Sequence, residues 1–167
     1  MIRFTLLGQT GRETALYSIS DYRDCLSHGP IIAERVWTAW WQGSGLKVDD
    51  VIEHLKEMTN PYALPTGFVA HDGDAYVGSA FLIHSDLEER PQYLPWVAAL
   101  WVEEGRRRSG VARALMQTAT KRAAELGYDT AYLCCEAGLE NHYINCGWSI
   151  LERGVGQHDL TVLTYKT

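Results

Sequence analysis

What this chain lacks narrows what it can be before any motif is read. No apolar run in its 167 residues approaches the roughly 20 residues of a membrane-spanning helix, and no signal-peptide pattern opens it. The expectation is a cytoplasmic protein. Positive charge is in deficit, with 15 Lys and Arg against 21 Asp and Glu and a net charge of -6. General nucleic-acid binders and anionic-membrane binders need a positive field, so neither class is expected. The four cysteines, Cys25, Cys134, Cys135 and Cys146, show no metal-ligand spacing. They read as reduced thiols, with no metal site, and the adjacent Cys134 and Cys135 would point to opposite faces of a strand. Repeats, low-complexity tracts and long linkers are also missing, which predicts one domain over residues 1–167.

The chain does carry a clear order of elements. Residues 1–14 read either as a short strand over Ile2–Leu7 or as a lead-in before a Gly8–Gly11 turn, and Ala15–Ile19 as a strand. Gly29-Pro30 opens a helix through Trp41, with Ile31, Ile32, Arg35, Val36, Ala39 and Trp40 in an amphipathic pattern. After the Gly43–Gly45 break, Val48, Val51, Ile52, Leu55 and Met58 mark a second helix. The period then changes to strands: Gly67–His71 and Ala75–Ile83 form a hairpin about Asp72-Gly73-Asp74. Further strands are expected at Trp96–Val102 and Thr130–Cys134. A short helix follows at Leu139–Asn145, and closing strands at Ser149–Glu152 and Leu160–Tyr165 flank a Gly154–Gly156 turn. This order predicts an α/β (α+β mixed) sheet with helices on its faces.

One stretch, Pro95–Leu126, organises the rest. The apolar run Trp96–Val102 leads through an acidic-then-basic turn, Glu103–Gly110, into a helix marked by Val111, Leu115, Ala119, Ala123 and Leu126 and stopped at Gly127. A strand that passes through a Gly-containing basic turn into a helix start makes an anion site, because unpaired first-turn N–H groups and the helix dipole both favour negative charge. The anion expected there is a diphosphate. The turn has no Gly-Lys-Ser/Thr ending, which excludes a P-loop, and no second glycine before Gly110, which excludes a dinucleotide fingerprint.

These residues resemble the GCN5-related N-acetyltransferase (GNAT) superfamily. Arg107-Arg108-Ser109-Gly110-Val111-Ala112 fits its Gln/Arg-x-x-Gly-x-Gly/Ala motif, and Leu100-Trp101-Val102 stands where the family ends its central strand. His142–Trp148 is similar to its aromatic–Tyr–x–x–x–Gly–aromatic segment, and the element order agrees from about residue 15 onward. The resemblance implies the acyl-CoA N-acyltransferase fold, with a central, mostly antiparallel mixed sheet flanked by helices. It also implies acetyl-CoA as co-substrate. Main-chain groups of Leu100, Trp101 and Val102 would meet the pantetheine arm, and Arg107, Arg108, Ser109, Gly110, Val111 and Ala112 the diphosphate. The thioester would lie where the Trp96–Val102 and Thr130–Cys134 strands splay apart.

The implied chemistry is direct acetyl transfer to an amine, with Tyr143 as general acid, its phenol matched in pKa to a thiol. The strand carboxylate that many members use as a base is missing from Trp96–Val102. Asp86 is the favoured substitute among His84, Asp86, Glu88, Glu89 and Glu136, with a water chain as the alternative. Asn141 is a candidate contact to the pantetheine arm, although the family's Asn falls earlier, at the spacing of Glu136. The region of Trp37, Trp40, Trp41 and Gly43–Gly45 is where the family draws its acceptor pocket. The connection from Asp86 to Trp96 looks like a bacterial group of small acetyltransferases, more distantly similar to enzymes that acetylate protein N-termini. The expected acceptor is therefore a small amine or a peptide N-terminus, and the acidic connection suits a cationic amine or polyamine. A homodimer is the other partner considered. The competing reading is a non-catalytic acyl-CoA-binding or sensing domain.

Overall fold

A computed structural model describes residues 2–4 and 17–167. Among the described residues, eight strands form one sheet in the order β1-β2-β3-β4-β5-β6-β8-β7. They are β1 (Ile2–Phe4), β2 (Tyr17–Asp21), β3 (Thr66–Asp72), β4 (Ala75–Ile83), β5 (Trp96–Val102), β6 (Thr130–Cys135), β7 (Ser149–Val155) and β8 (Leu160–Lys166). Every neighbouring pair is antiparallel except β5 and β6, which are parallel. The mixed, mostly antiparallel central sheet expected from the sequence is observed.

Helices cover both faces. On one, α1 (Gly29–Val36) and α2 (Val48–Glu57) bury Ile32, Val36, Val51 and Leu55 against Val69 and Phe81 of the sheet. On the other, α3 (Val111–Glu125) lays Val111, Leu115, Met116, Ala119 and Ala123 against Phe68, Ala80, Val97 and Leu133. The helical spacing of the apolar residues puts them on one stripe, and that stripe is what each helix buries. Beyond α1 the chain makes a single π-helical turn, Trp37–Trp41, and the short α4 (Glu140–Ile144) follows β6.

The sheet is irregular at its centre, in two linked ways. First, β5 carries a bulge. Ser79 faces Trp101 and Phe81 faces Ala98, so Ala80 on β4 stands opposite two residues, Ala99 and Leu100. Ala99 takes the left-handed conformation at φ 48° to make it. The bulge rephases the strand: Val97, Leu100 and Val102 all pack on the α3 side, and Ala99 on the α1–α2 side. Second, β5 and β6 have a single registered pair, Trp96 with Tyr132, sealed by the Tyr132 N–H donating to the Pro95 carbonyl at 2.9 Å. Past that point the strands diverge toward their C-terminal ends.

An aromatic clamp holds the closed end of this V. Trp96 is fully buried and donates its indole N–H to the Tyr93 carbonyl at 2.5 Å. Tyr93 stacks on Tyr132 with ring centroids 4.6 Å apart and planes 8° from parallel. The Tyr93 hydroxyl and the Arg90 guanidinium (2.8 and 2.6 Å) both donate to Glu152 on β7.

Some expectations need adjusting. The Gly8–Gly11 turn lies outside the described residues, as do Ala15 and Leu16 of the first expected strand, which is observed from Tyr17. Gly154 is not in a turn: it sits inside β7 at a register irregularity between Glu152 and Val155, and the turn is Gly156–Asp159. A bulge consumed the glycine that had read as a strand end.

Gly78 on β4 illustrates how closely the sheet is built at the bulge. A Cβ there would stand 2.6 Å from the Trp101 carbonyl oxygen and 3.3 Å from the Val102 Cα, both backbone atoms. Gly78→Ala is expected to lower stability by about 1–3 kcal/mol in urea unfolding, because β4 and β5 must separate. Gly105→Ala, which meets open space, is the matched control and should change little.

Candidate functional site

The divergence of β5 and β6 opens a cleft of about 870 Å³. Its walls come from both cores. Leu100, Leu133, Cys135 and Tyr143 belong to the α3 side, and Val36, Val51, Leu55, Met58 and Phe81 to the α1–α2 side. The cleft therefore runs through the sheet rather than along it, a geometry that follows from having only one β5–β6 pair.

Two titratable groups enter it from opposite faces. Asp86 follows the end of β4, beside Cys134, whose thiol donates to Oδ2 at 3.3 Å. Alternation along β6 puts Cys134 on the side away from α3, with Trp96 and Ile83, while Cys135 packs into the α3 core. Tyr143 projects from α4 and packs against the α3 core. Asp86 remains open to water inside the cleft while protein surrounds it on its other sides. That desolvation pushes its carboxyl above the ordinary value, against the smaller opposing effect of the Cys134 hydrogen bond. Burial, and after it the carboxylate, in turn push the Cys134 thiol well up. Burial, with added effects from Cys135, Cys134, Cys146 and Asp86, pushes the Tyr143 phenol up to about 12.

The basic turn lies beyond the open end of the V. Arg108 at φ 60° and Gly110 at φ 85° twist it so that α3 begins with no side-chain cap. The first backbone bond into the helix runs from the Ala114 N–H to the Gly110 carbonyl, which leaves the N–H groups of Val111, Ala112 and Arg113 without helical acceptors. Gly110 is required by its own conformation, which side chains rarely adopt. The arginines divide their work. Arg106 pairs with Asp72 at 2.8 Å, and Arg107 donates Nε to the Val102 carbonyl at 3.0 Å while lying 5.2 Å from the centre of the Trp101 ring. Arg108 is exposed at the tip. Arg106 and Arg107 thus brace the turn, and the local positive charge is smaller than three adjacent arginines suggest.

Residues 33–145, more than half of the chain, match a model of the acetyltransferase (GNAT) family. The chain belongs to this GNAT family. The matched span runs from α1 through the bulged strand and the basic turn to the end of α4. Solved structures share the fold. An acetyltransferase from Streptococcus agalactiae is 14% identical, with a TM-score of 0.66 over 90% of this chain and 98% of that one. An aminoglycoside 6'-N-acetyltransferase from Enterococcus faecium is 19% identical, with a TM-score of 0.67 over 89% and 96%. The yncA protein from Salmonella typhimurium, solved with its cofactor acetyl-CoA, is 16% identical, with a TM-score of 0.65 over 90% and 92%. At these identities the likeness is one of fold. No curated protein matches the sequence.

Within this GNAT architecture the expected site residues sort cleanly. His84, Asp86, Glu136 and Tyr143 line the cleft, and so do Trp40, Trp41 and Leu100. Glu88 and Glu89 do not, and Glu89 instead reaches Gly156, whose Cβ would stand 2.6 Å from its Oε1. Asn141 lies on the exposed part of α4, and Trp37 turns away to donate its indole N–H to the Leu46 carbonyl at 2.7 Å. The cleft also holds Cys134, His54 and Glu57, which sequence reasoning passed over. A helical-spacing test would have found His54, three residues after Val51 and four before Met58 on the inner face of α2.

The sign of the Asp86 shift has a stability consequence. A carboxyl raised on folding favours the folded state below its unfolded-state value of about 3.9, and that benefit is lost as pH rises through the higher folded value. Asp86→Asn removes the loss. Thermal unfolding at neutral pH should therefore show the variant at least as stable as the parent; a clearly lower Tm would mean the carboxylate holds the fold together.

Proposed function

We propose that this GNAT chain is an acetyl-CoA-dependent N-acetyltransferase that passes the acetyl group directly to an amine. The observation that carries the reading is the cleft through the sheet, with Asp86 and Tyr143 reaching it from opposite faces. The residues at its cofactor end suit acetyl-CoA. Uncapped N–H groups of Val111, Ala112 and Arg113, with Arg108 beside them, offer a cradle for a diphosphate. Beyond Trp96 the edge of β5 that faces β6 has no registered partner, which leaves main-chain groups on that edge along Leu100–Val102 to meet the pantetheine arm.

The co-substrate supplies a thioester, and the chain supplies position and proton control. An amine must be neutral to attack. Asp86, whose carboxyl is raised toward a more basic value, takes that proton on the acceptor side. A C–N bond forms and the C–S bond breaks, and the sulfur leaves toward Tyr143. A thiol titrates near ~8.5 in water, well below a phenol at about 12, so the close match expected from the sequence does not hold. Tyr143 instead keeps its hydrogen and donates a hydrogen bond to the departing sulfur, which takes the second proton that the nitrogen loses as the amide forms, while the first, taken by Asp86, leaves to solvent. His84 and Glu136 line the same cleft, and water links between them and Asp86 would carry that proton outward.

Titration calorimetry should show CoA binding in the micromolar range, weakened by at least about tenfold in Gly110→Val, whose side chain would strain the φ 85° turn. Absence of CoA binding to the unaltered chain would remove the cofactor assignment. In steady-state assays Asp86→Asn should lower kcat by about 10²–10⁴ and abolish the acidic limb of the pH profile. Tyr143→Phe should lower kcat while leaving CoA affinity unchanged. CoA binding with no transfer to any amine, peptide N-termini included, would favour a cofactor-sensing domain instead.

A further inference from the structure

We infer that the acceptor is an amine carried on an apolar, ring-bearing body, and not a polyhydroxylated polycation. This rests on the transferase reading above and concerns the α1–α2 side of the cleft. That side is walled by the π-helical turn, whose Trp40 and Trp41 supply its open aromatic surface over a floor of the buried Leu55, Met58 and Phe81. Trp40 is 51% exposed although its ring stands edge-to-face with that of Trp101, centroids 6.4 Å apart, so much of its indole remains open. Trp41 meets His54 edge-to-face at 5.9 Å and 83°, which fixes the orientation of both rings. Rigid, oriented aromatic surface selects a planar apolar group, through area burial and ring–ring geometry.

Charge points the same way. The carboxylates on the wall are Glu57, Asp86 and Glu136, and no lysine or arginine is among the described residues that line it. Such a field attracts a cation and repels an acid, so an amine bearing a free carboxylate is disfavoured. The carboxylates are few and come from three separate elements, α2, the end of β4 and the end of β6. A sugar-based polyamine would need a partner for each buried hydroxyl and ammonium, and aromatic and aliphatic walls do not provide them. Spermidine-like chains would pair their charges but leave the indoles uncovered.

The test compares acetyl-CoA-dependent turnover of 2-phenylethylamine, hexylamine, spermidine and kanamycin by the full chain, alongside CoA binding by calorimetry. The expected result is the highest kcat/KM for 2-phenylethylamine, by at least about tenfold over hexylamine and a hundredfold over kanamycin. Trp40→Ala should raise KM for 2-phenylethylamine several-fold with kcat and CoA affinity nearly unchanged, and Trp40→Phe should restore most of the loss. Preference for kanamycin or spermidine would overturn the inference and leave the transferase reading standing. A Trp40→Ala variant that alters kcat and KM for all four amines alike would overturn the assigned role of the indole. CoA binding without turnover of any of the four amines would overturn this inference, and the transferase reading falls with it only if peptide N-termini also go unacetylated.

Discussion

The centre of this molecule depends on one pairing, Trp96 with Tyr132. Parallel neighbours normally hydrogen-bond along their shared length, and here they meet once and part. Leaving strand edges unpaired inside a sheet exposes backbone groups that would otherwise be satisfied. The clamp of Tyr93, Trp96 and Tyr132, tied to β7 through Glu152, fixes where parting begins. A wider closed end would narrow the opening, and a looser one would let the two halves of the sheet drift. The cleft is thus a consequence of aromatic packing several residues away from its chemistry.

The bulge at Ala99 complements that opening. It turns Leu100 and Val102 toward the α3 core and Trp101 toward Trp40, so that one strand serves both walls. The division by face then separates Asp86 from Tyr143. In the proposed transfer each would address a different end of the reacting group. Their environments differ as well. Asp86 is raised mainly by desolvation, and Tyr143 by burial within a cluster of thiols, so the carboxyl gains basicity while the phenol holds its hydrogen.

Much of the frame was legible in the residues. The β5–α3 unit is written in a run of bulky apolar residues, a basic glycine turn and a helical stripe, and its bounds Trp96–Val102 and Val111–Glu125 follow that pattern. Asp86 emerged as the favoured carboxyl because the β4 strand had to end near the splayed strands. Other features left no local trace. Ala99 is an ordinary strand residue whose left-handed turn is imposed by its neighbours. The roles of Arg106 and Arg107 depend on Asp72 and Trp101, partners set by tertiary packing and not by the motif itself. Gly154 carried a turn signal that a bulge absorbed, since both features call for the same backbone freedom. Glu88 and Glu89 share the acidic run with Asp86, and only the chain's path after β4 separates the one that enters the cleft from the two that do not.

The hydrogen bond from Cys134 to Asp86 bears on how the protein meets electrophiles. Only thiolates are effective nucleophiles, and burial holds Cys25 and Cys135 up at about 11, with Cys134 pushed up further by the carboxylate beside it. In the proposed transferase, a thiol set directly in the cleft that takes the thioester would otherwise invite self-acylation, stalling each cycle on a covalent side product. Beside Asp86 the sulfur keeps its hydrogen, and an activated acyl group held there would meet a cysteine that does not react with it.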